Sequence, residues 1–136
     1  MLFVSSICYG LVASISFIFG MIYLTRPQFM PYHSLALGKP WSEVEPNIQT
    51  LILALMRVAG GGFVATGIAI MILLLIPFQA EEPWAIYSIF LVAFWTSFGS
   101  CYATFLVQSR TPGNPPLKLS LATLVLTLIG FICSIV

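Results

Sequence analysis

Aspartate does not occur in this chain, and glutamate occurs only as Glu43, Glu45, Glu81 and Glu82. Charge of either sign is scarce: charged residues make up 7% of the sequence, against roughly 25% in soluble domains, and the formal net charge is +1. No basic stripe is available to neutralise phosphates, so nucleic acid is excluded as a partner. There is one histidine, His33, and the three cysteines (Cys8, Cys101, Cys133) are scattered through apolar segments without a CxxC pair. That inventory argues against a metal site of the usual ligand types and against a disulfide framework. The cysteines read instead as small buried apolar residues. No nucleophile–base pair, phosphate-cradling glycine loop or dinucleotide motif occurs. The sequence therefore names no catalytic residue, metal or cofactor, and leans away from an enzyme.

What the sequence does contain is apolar residues, at 60% of 136 positions. Too few polar groups remain to cover such a core in water, so lipid must be the solvent. A bilayer core of about 30 Å needs about 20 apolar residues in helix, and four stretches qualify: about 2–24, 46–77, 84–107 and 117–136. Strands of alternating polarity, which a β-barrel requires, do not occur. The expectation is an all-α membrane protein, a four-transmembrane-helix bundle in one domain over residues 1–136, with a long interfacial loop between its first and second helices. The N-terminal segment lacks the basic region and cleavage site of a secretory signal and reads as a retained span. Arg26, Lys39, Arg57, Arg110 and Lys118 fall at or near the loops on one side, whereas Gln79–Pro83 has no basic residue. The positive-inside rule then puts those loops in the cytoplasm and both termini outside. The architecture resembles that of small four-helix inner-membrane proteins of bacteria, which implies a bacterial inner (plasma) membrane and no particular activity.

Arg57 is the sharpest local feature. It lies within an apolar stretch, followed by Val58-Ala59-Gly60-Gly61-Gly62, and a guanidinium at the centre of a bilayer costs about 2.5–3.5 kcal/mol on insertion scales. The second span starts at Ser42, which stands at capping-box spacing from Glu45, or at Pro46, which suits a first helical turn. Either start makes it roughly 45–55 Å long, so it tilts or projects. Arg57 then lies at the interface or two turns deep. Its outlets are snorkelling, a salt bridge to Glu43 or Glu45, backbone carbonyls, lipid phosphate or an anionic ligand.

The loop from Thr25 to Trp41 is unusually apolar, with Phe29, Met30, Tyr32, Leu35, Leu37 and Trp41. Such a segment is expected to lie in the interface or to cover the bundle's mouth. His33 lies here and reads as a hydrogen-bonded structural residue, with acid–base chemistry the sharper alternative. Arg57, His33, Glu45, Arg110 and Lys118 are expected to ring one cytoplasmic-side polar site, the alternative being that Arg110 and Lys118 meet lipid headgroups. Trp95, near the middle of the third span, is expected to fill a gap between helices or to contact a ligand. Rows of small residues at four-residue spacing, including Gly61–Ala65–Ala69 and Thr96–Ser100–Thr104, permit close helix approach. Gly60, Gly61, Gly62 and Ala65 are the expected packing positions. The glycine triplet also leaves room for a kink or a local cavity.

Three function classes fit these residues. The favoured one is a lipid- or partner-binding accessory protein whose partners are membrane lipid and a homo-oligomer or larger membrane complex. The second is an enzyme acting on a lipid or quinone. The third is a small transporter or channel, weakened because no ionisable residue sits near mid-bilayer in three of the four spans.

Overall fold

The computed structural model describes residues 2–136. It is all-helical: α1 (Leu2–Thr25), α2 (Pro31–Leu37), a 3₁₀ turn (Trp41–Glu43), α3 (Pro46–Leu75), α4 (Pro83–Arg110) and α5 (Leu117–Ile135). Helices α1, α3, α4 and α5 are each long and apolar enough to cross a bilayer. The chain is an integral membrane protein built as a four-helix bundle.

Local chemistry sets the helix ends. Of the two candidate starts for α3, the chain uses Pro46. Glu45, which precedes a proline, is held extended (φ −54°, ψ 137°), so the helix cannot begin upstream. Ser42 and Glu43 go into the 3₁₀ turn instead of a capping box. α3 stops at Leu75, two residues short of the expected end, because Pro77 cannot supply an N–H to a continuing helix. The turn that follows is closed by bonds from the Phe78 amide to the Leu73 carbonyl (3.0 Å) and from the Glu82 amide to the Pro77 carbonyl (3.0 Å). Glu81 takes the left-handed conformation there (φ 57°). α4 runs to Arg110, three residues beyond the expected end.

The helices run alternately up and down and form a ring in the order α1, α3, α4, α5, with α5 closing on α1. α2 and the α4–α5 turn share one end of the bundle, and the start of α1 and the end of α5 share the other. On α4 and α5 the buried residues are mostly small or hydroxyl-bearing: α5 buries Ser120, Thr123, Thr127 and Gly130, and α4 buries Ala85, Ala93 and Ser97 along with Ile89. This inversion of the soluble pattern suits lipid, where burying leucine against leucine gains nothing over burying it against acyl chains, and close backbone approach supplies the packing.

The closest approach joins α1 to α3. A Cβ placed on Gly60 would sit 2.9 Å from the Gly20 carbonyl oxygen, and one on Gly67 would sit 2.8 Å from that of Ala13. Gly60 and Gly67 are seven residues apart, as are Ala13 and Gly20, so the two antiparallel helices meet through paired small residues every two turns. At the terminal end Tyr9, Ile70, Leu74, Phe78 and Ile89 form one buried cluster. At the α2 end Phe29, Val44 and Met56 form another, with Tyr23 and Trp41 packed on it.

Candidate functional site

The two clusters brace the ends of a bundle that is incompletely closed between them. α3 and α4 touch over a much shorter stretch than the other neighbouring pairs. In the half nearer α2, a cleft of about 530 Å³ opens between them, with its floor on α1 and α5. Its mouth is formed by Ala59 and Gly62 on α3 and by Trp95, Gly99 and Ala103 on α4, all exposed. Those residues lie within helices long and apolar enough to cross a membrane. The size falls in the range of small-molecule sites, roughly 300–1,000 Å³.

The lining carries hydroxyls and no charge: among the described residues, no Lys, Arg, Asp, Glu or His borders the cleft. Several hydroxyls are already committed to their own helices. Ser100 donates to the Thr96 carbonyl at 2.7 Å, Thr104 to that of Ser100 at 2.9 Å, and Thr123 to that of Ser120 at 2.8 Å. Others are not. Thr66 and Thr96 pair hydroxyl to hydroxyl across the α3–α4 gap at 3.2 Å, and Tyr23 pairs in the same way with Tyr32 of α2. Each such pair uses one O–H and leaves the other free to donate. Ser16 and Ser97, both buried, border the cleft and make no hydrogen bond among the described residues. The cleft therefore keeps unspent donors in an uncharged wall.

Aromatic rings form the other component. Phe19 leans on Tyr23 (ring centroids 4.8 Å apart) and meets Phe63 edge to face at 5.4 Å, which makes a continuous surface across α1 and α3. Tyr32 reaches the cleft because α2 lies across the bundle end, with Gly113 of the α4–α5 turn packed so tightly beneath it that a Cβ there would stand 2.9 Å from the Tyr32 carbonyl oxygen. The apolar loop thus covers part of the bundle's mouth. Burial pushes the Tyr32 phenol above its ordinary value, so it is neutral.

Arg57 lies outside this cleft. Its guanidinium donates to the carbonyl oxygens of Tyr23 (2.5 Å) and Arg26 (2.7 Å). The last carbonyls of a helix have no partner within it, and they form the negative end of its dipole. Arg57 therefore holds the C-terminal end of α1 from the side of α3, using backbone rather than glutamate as its partner. His33 sits against the same segment, its ring edge-on to Tyr23 at 6.3 Å and to Tyr32 at 4.5 Å. Its Nδ1 accepts from the Met30 amide at 3.3 Å. Burial lowers its pKa below the ordinary 6.5, which favours the neutral ring.

Arg57 thus touches Tyr23 through its backbone carbonyl and His33 touches it through its ring, and neither borders the cleft. Glu45 is exposed at the start of α3, where its Oε1 accepts from Asn47. Arg110 is exposed in the last turn of α4. Trp95 does not fill a gap between helices; it is 66% exposed and packs beside Phe94 and Phe98 at the cleft mouth. Of the four small residues expected to pack, Gly60 is at the α1–α3 crossing. A Cβ on Gly61 or Gly62 would meet nothing within 4 Å, and Ala65 is exposed. Gly62 instead borders the cleft. The residues that make the cleft, Ser16, Thr66, Thr96 and Ser97, are ordinary in sequence; the Thr96–Ser100–Thr104 row was visible, but nothing in its spacing separates a packing row from a cavity wall. No family model, curated protein or solved structure matches this chain.

Proposed function

We propose that this protein binds one amphipathic molecule drawn from the lipid phase, held in the cleft between α3 and α4, and that it serves as a binding or accessory protein rather than an enzyme. The single observation that carries this reading is a cleft, open between two helices long and apolar enough to cross a membrane, whose wall is uncharged yet retains free hydroxyl donors. A purely apolar gap would be filled by any acyl chain. Polar groups placed few and facing inward are what fix a bound molecule's orientation. We further place the protein in the bacterial inner membrane with the α2 end in the cytoplasm. All five basic residues lie toward that end and Glu81 and Glu82 toward the other, as the positive-inside rule requires.

Adjacent glycines supply the test. Gly61 and Gly62 both have open space where a side chain would go, so leucine fits at either, but only Gly62 borders the cleft. Native mass spectrometry after gentle extraction should find a lipid-sized adduct on the wild-type protein and on Gly61→Leu, and lose it on Gly62→Leu. Identical spectra from all three proteins would refute the reading.

A further inference from the structure

The unspent donors stand at two levels. Ser16, Thr66, Thr96 and Ser97 belong to the middle of the bundle, and the Tyr23–Tyr32 pair belongs to the α2 end. Ser16 and Tyr23 lie on one face of α1, seven residues apart, which is about 10 Å of helical rise. Between these levels are the rings of Phe19 and Phe63, edge to face at 5.4 Å. A molecule that satisfies this arrangement has a flat ring at the aromatic level and an oxygen at each end. Two carbonyls on opposite sides of a six-membered ring put their oxygens about 5 Å apart. A hydrogen bond of about 2.8 Å at either end lets such a ring bridge two levels of donors along the helix axis.

Charge decides against the commonest alternatives. A phospholipid headgroup in this wall would leave its phosphate without a cation, and an unpaired ion removed from water is far costlier than an unpaired carbonyl. A diacylglycerol is neutral but gives the aromatic surface nothing flat to stack on. We propose that the cleft is a binding site for an uncharged, ring-bearing lipid with opposed oxygens, a prenylated quinone, its ring against Phe19 and Phe63 and its tail leaving between α3 and α4 past Gly62 and Gly99. This rests on the reading of the cleft as an amphiphile site and names the class of amphiphile.

The test titrates a decyl-chain benzoquinone into the full protein in nanodiscs of zwitterionic lipid and follows quenching of tryptophan fluorescence. Wild type and Gly61→Leu should show saturable quenching, and Gly62→Leu should raise the half-saturation point by at least about tenfold, the equivalent of about 1.4 kcal/mol. Thr66→Val/Thr96→Val and Tyr32→Phe should each raise it about three- to tenfold, the scale of one lost hydrogen bond. Decylbenzene, which has the ring without the oxygens, dioctanoylglycerol, which has oxygens without the ring, and phosphatidylglycerol should not compete. If any of the three displaces the quinone as well as unlabelled quinone does, the ring-and-oxygen assignment is overturned while the amphiphile site survives. Quenching that is not saturable, or is the same in Gly62→Leu, overturns the quinone assignment; an adduct lost from Gly62→Leu in the mass spectra would then still support the site.

Discussion

Replacing Arg57 with leucine separates a structural role from a ligand-binding one. The guanidinium makes two hydrogen bonds to carbonyls, at 2.5 and 2.7 Å. Bonds to a charged group contribute about 1.5–3 kcal/mol each, so about 3–6 kcal/mol of gross interaction is lost. Leucine in turn avoids the cost of holding a cation at the edge of hydrocarbon, for which the mid-bilayer figure of about 2.5–3.5 kcal/mol is a ceiling. The difference leaves Arg57→Leu destabilised by about 1–3 kcal/mol, since the Tyr23 and Arg26 carbonyls lose their partner in a place that water reaches poorly. Arg57→Lys should fall between, because an ammonium lacks the planar fork that serves two carbonyls at once. Unfolding in mixed micelles with rising SDS measures the global effect. Hydrogen exchange locates it, with the Arg26 amide, bonded to the Ile22 carbonyl at 3.1 Å, exchanging faster in the variant. If Arg57→Leu unfolds at the wild-type SDS fraction and the end of α1 keeps its protection, Arg57 does not hold that helix end and the reasoning is wrong.

Two further outcomes follow from the same geometry. Gly60→Ala forces a methyl to within 2.9 Å of the Gly20 carbonyl oxygen and should cost about 1–3 kcal/mol as α1 and α3 are pushed apart. Gly61→Ala meets nothing and should be neutral or stabilising by up to about 1 kcal/mol; SDS unfolding of the pair reads the contrast. His33 is held below its unfolded pKa by burial, so between the two values the unfolded chain binds more protons. Its contribution is complete above about pH 6.5 and is lost as pH falls from there through the folded value, where protonation also removes the acceptor for the Met30 amide. Proteolysis of the segment between α1 and α3 should therefore quicken from pH 7.5 to 5.5, and His33→Phe should abolish that trend.

The membrane class and the four spans were legible because they depend on local composition: twenty apolar residues must be helical in lipid, whatever surrounds them; the start of α3 was narrowed only to Ser42 or Pro46. The loop before α3 also declared itself, since residues as large as Phe29 and Trp41 do not stay in water. Arg57 was legible as a problem and not as a solution. Its partners are carbonyls, which every residue has, so no side chain in the sequence marks them. The glycine triplet was similarly ambiguous, because Gly60 differs from Gly61 and Gly62 only by the rotation of about 100° per residue that aims it at α1.

By itself, then, the sequence determined the solvent, the number of spans and the scarcity of charge, all of which follow from composition acting locally. Tertiary structure alone decided which hydroxyls spend their protons on their own helices and which face a cleft. That depends on where α3 and α4 part, which is a matter of long-range packing: in the half of the bundle nearer α2 the Gly20–Gly60 contact holds α3 against α1, while Ile70 and Leu74 pack with Ile89 and Ala93 of α4 in the other half.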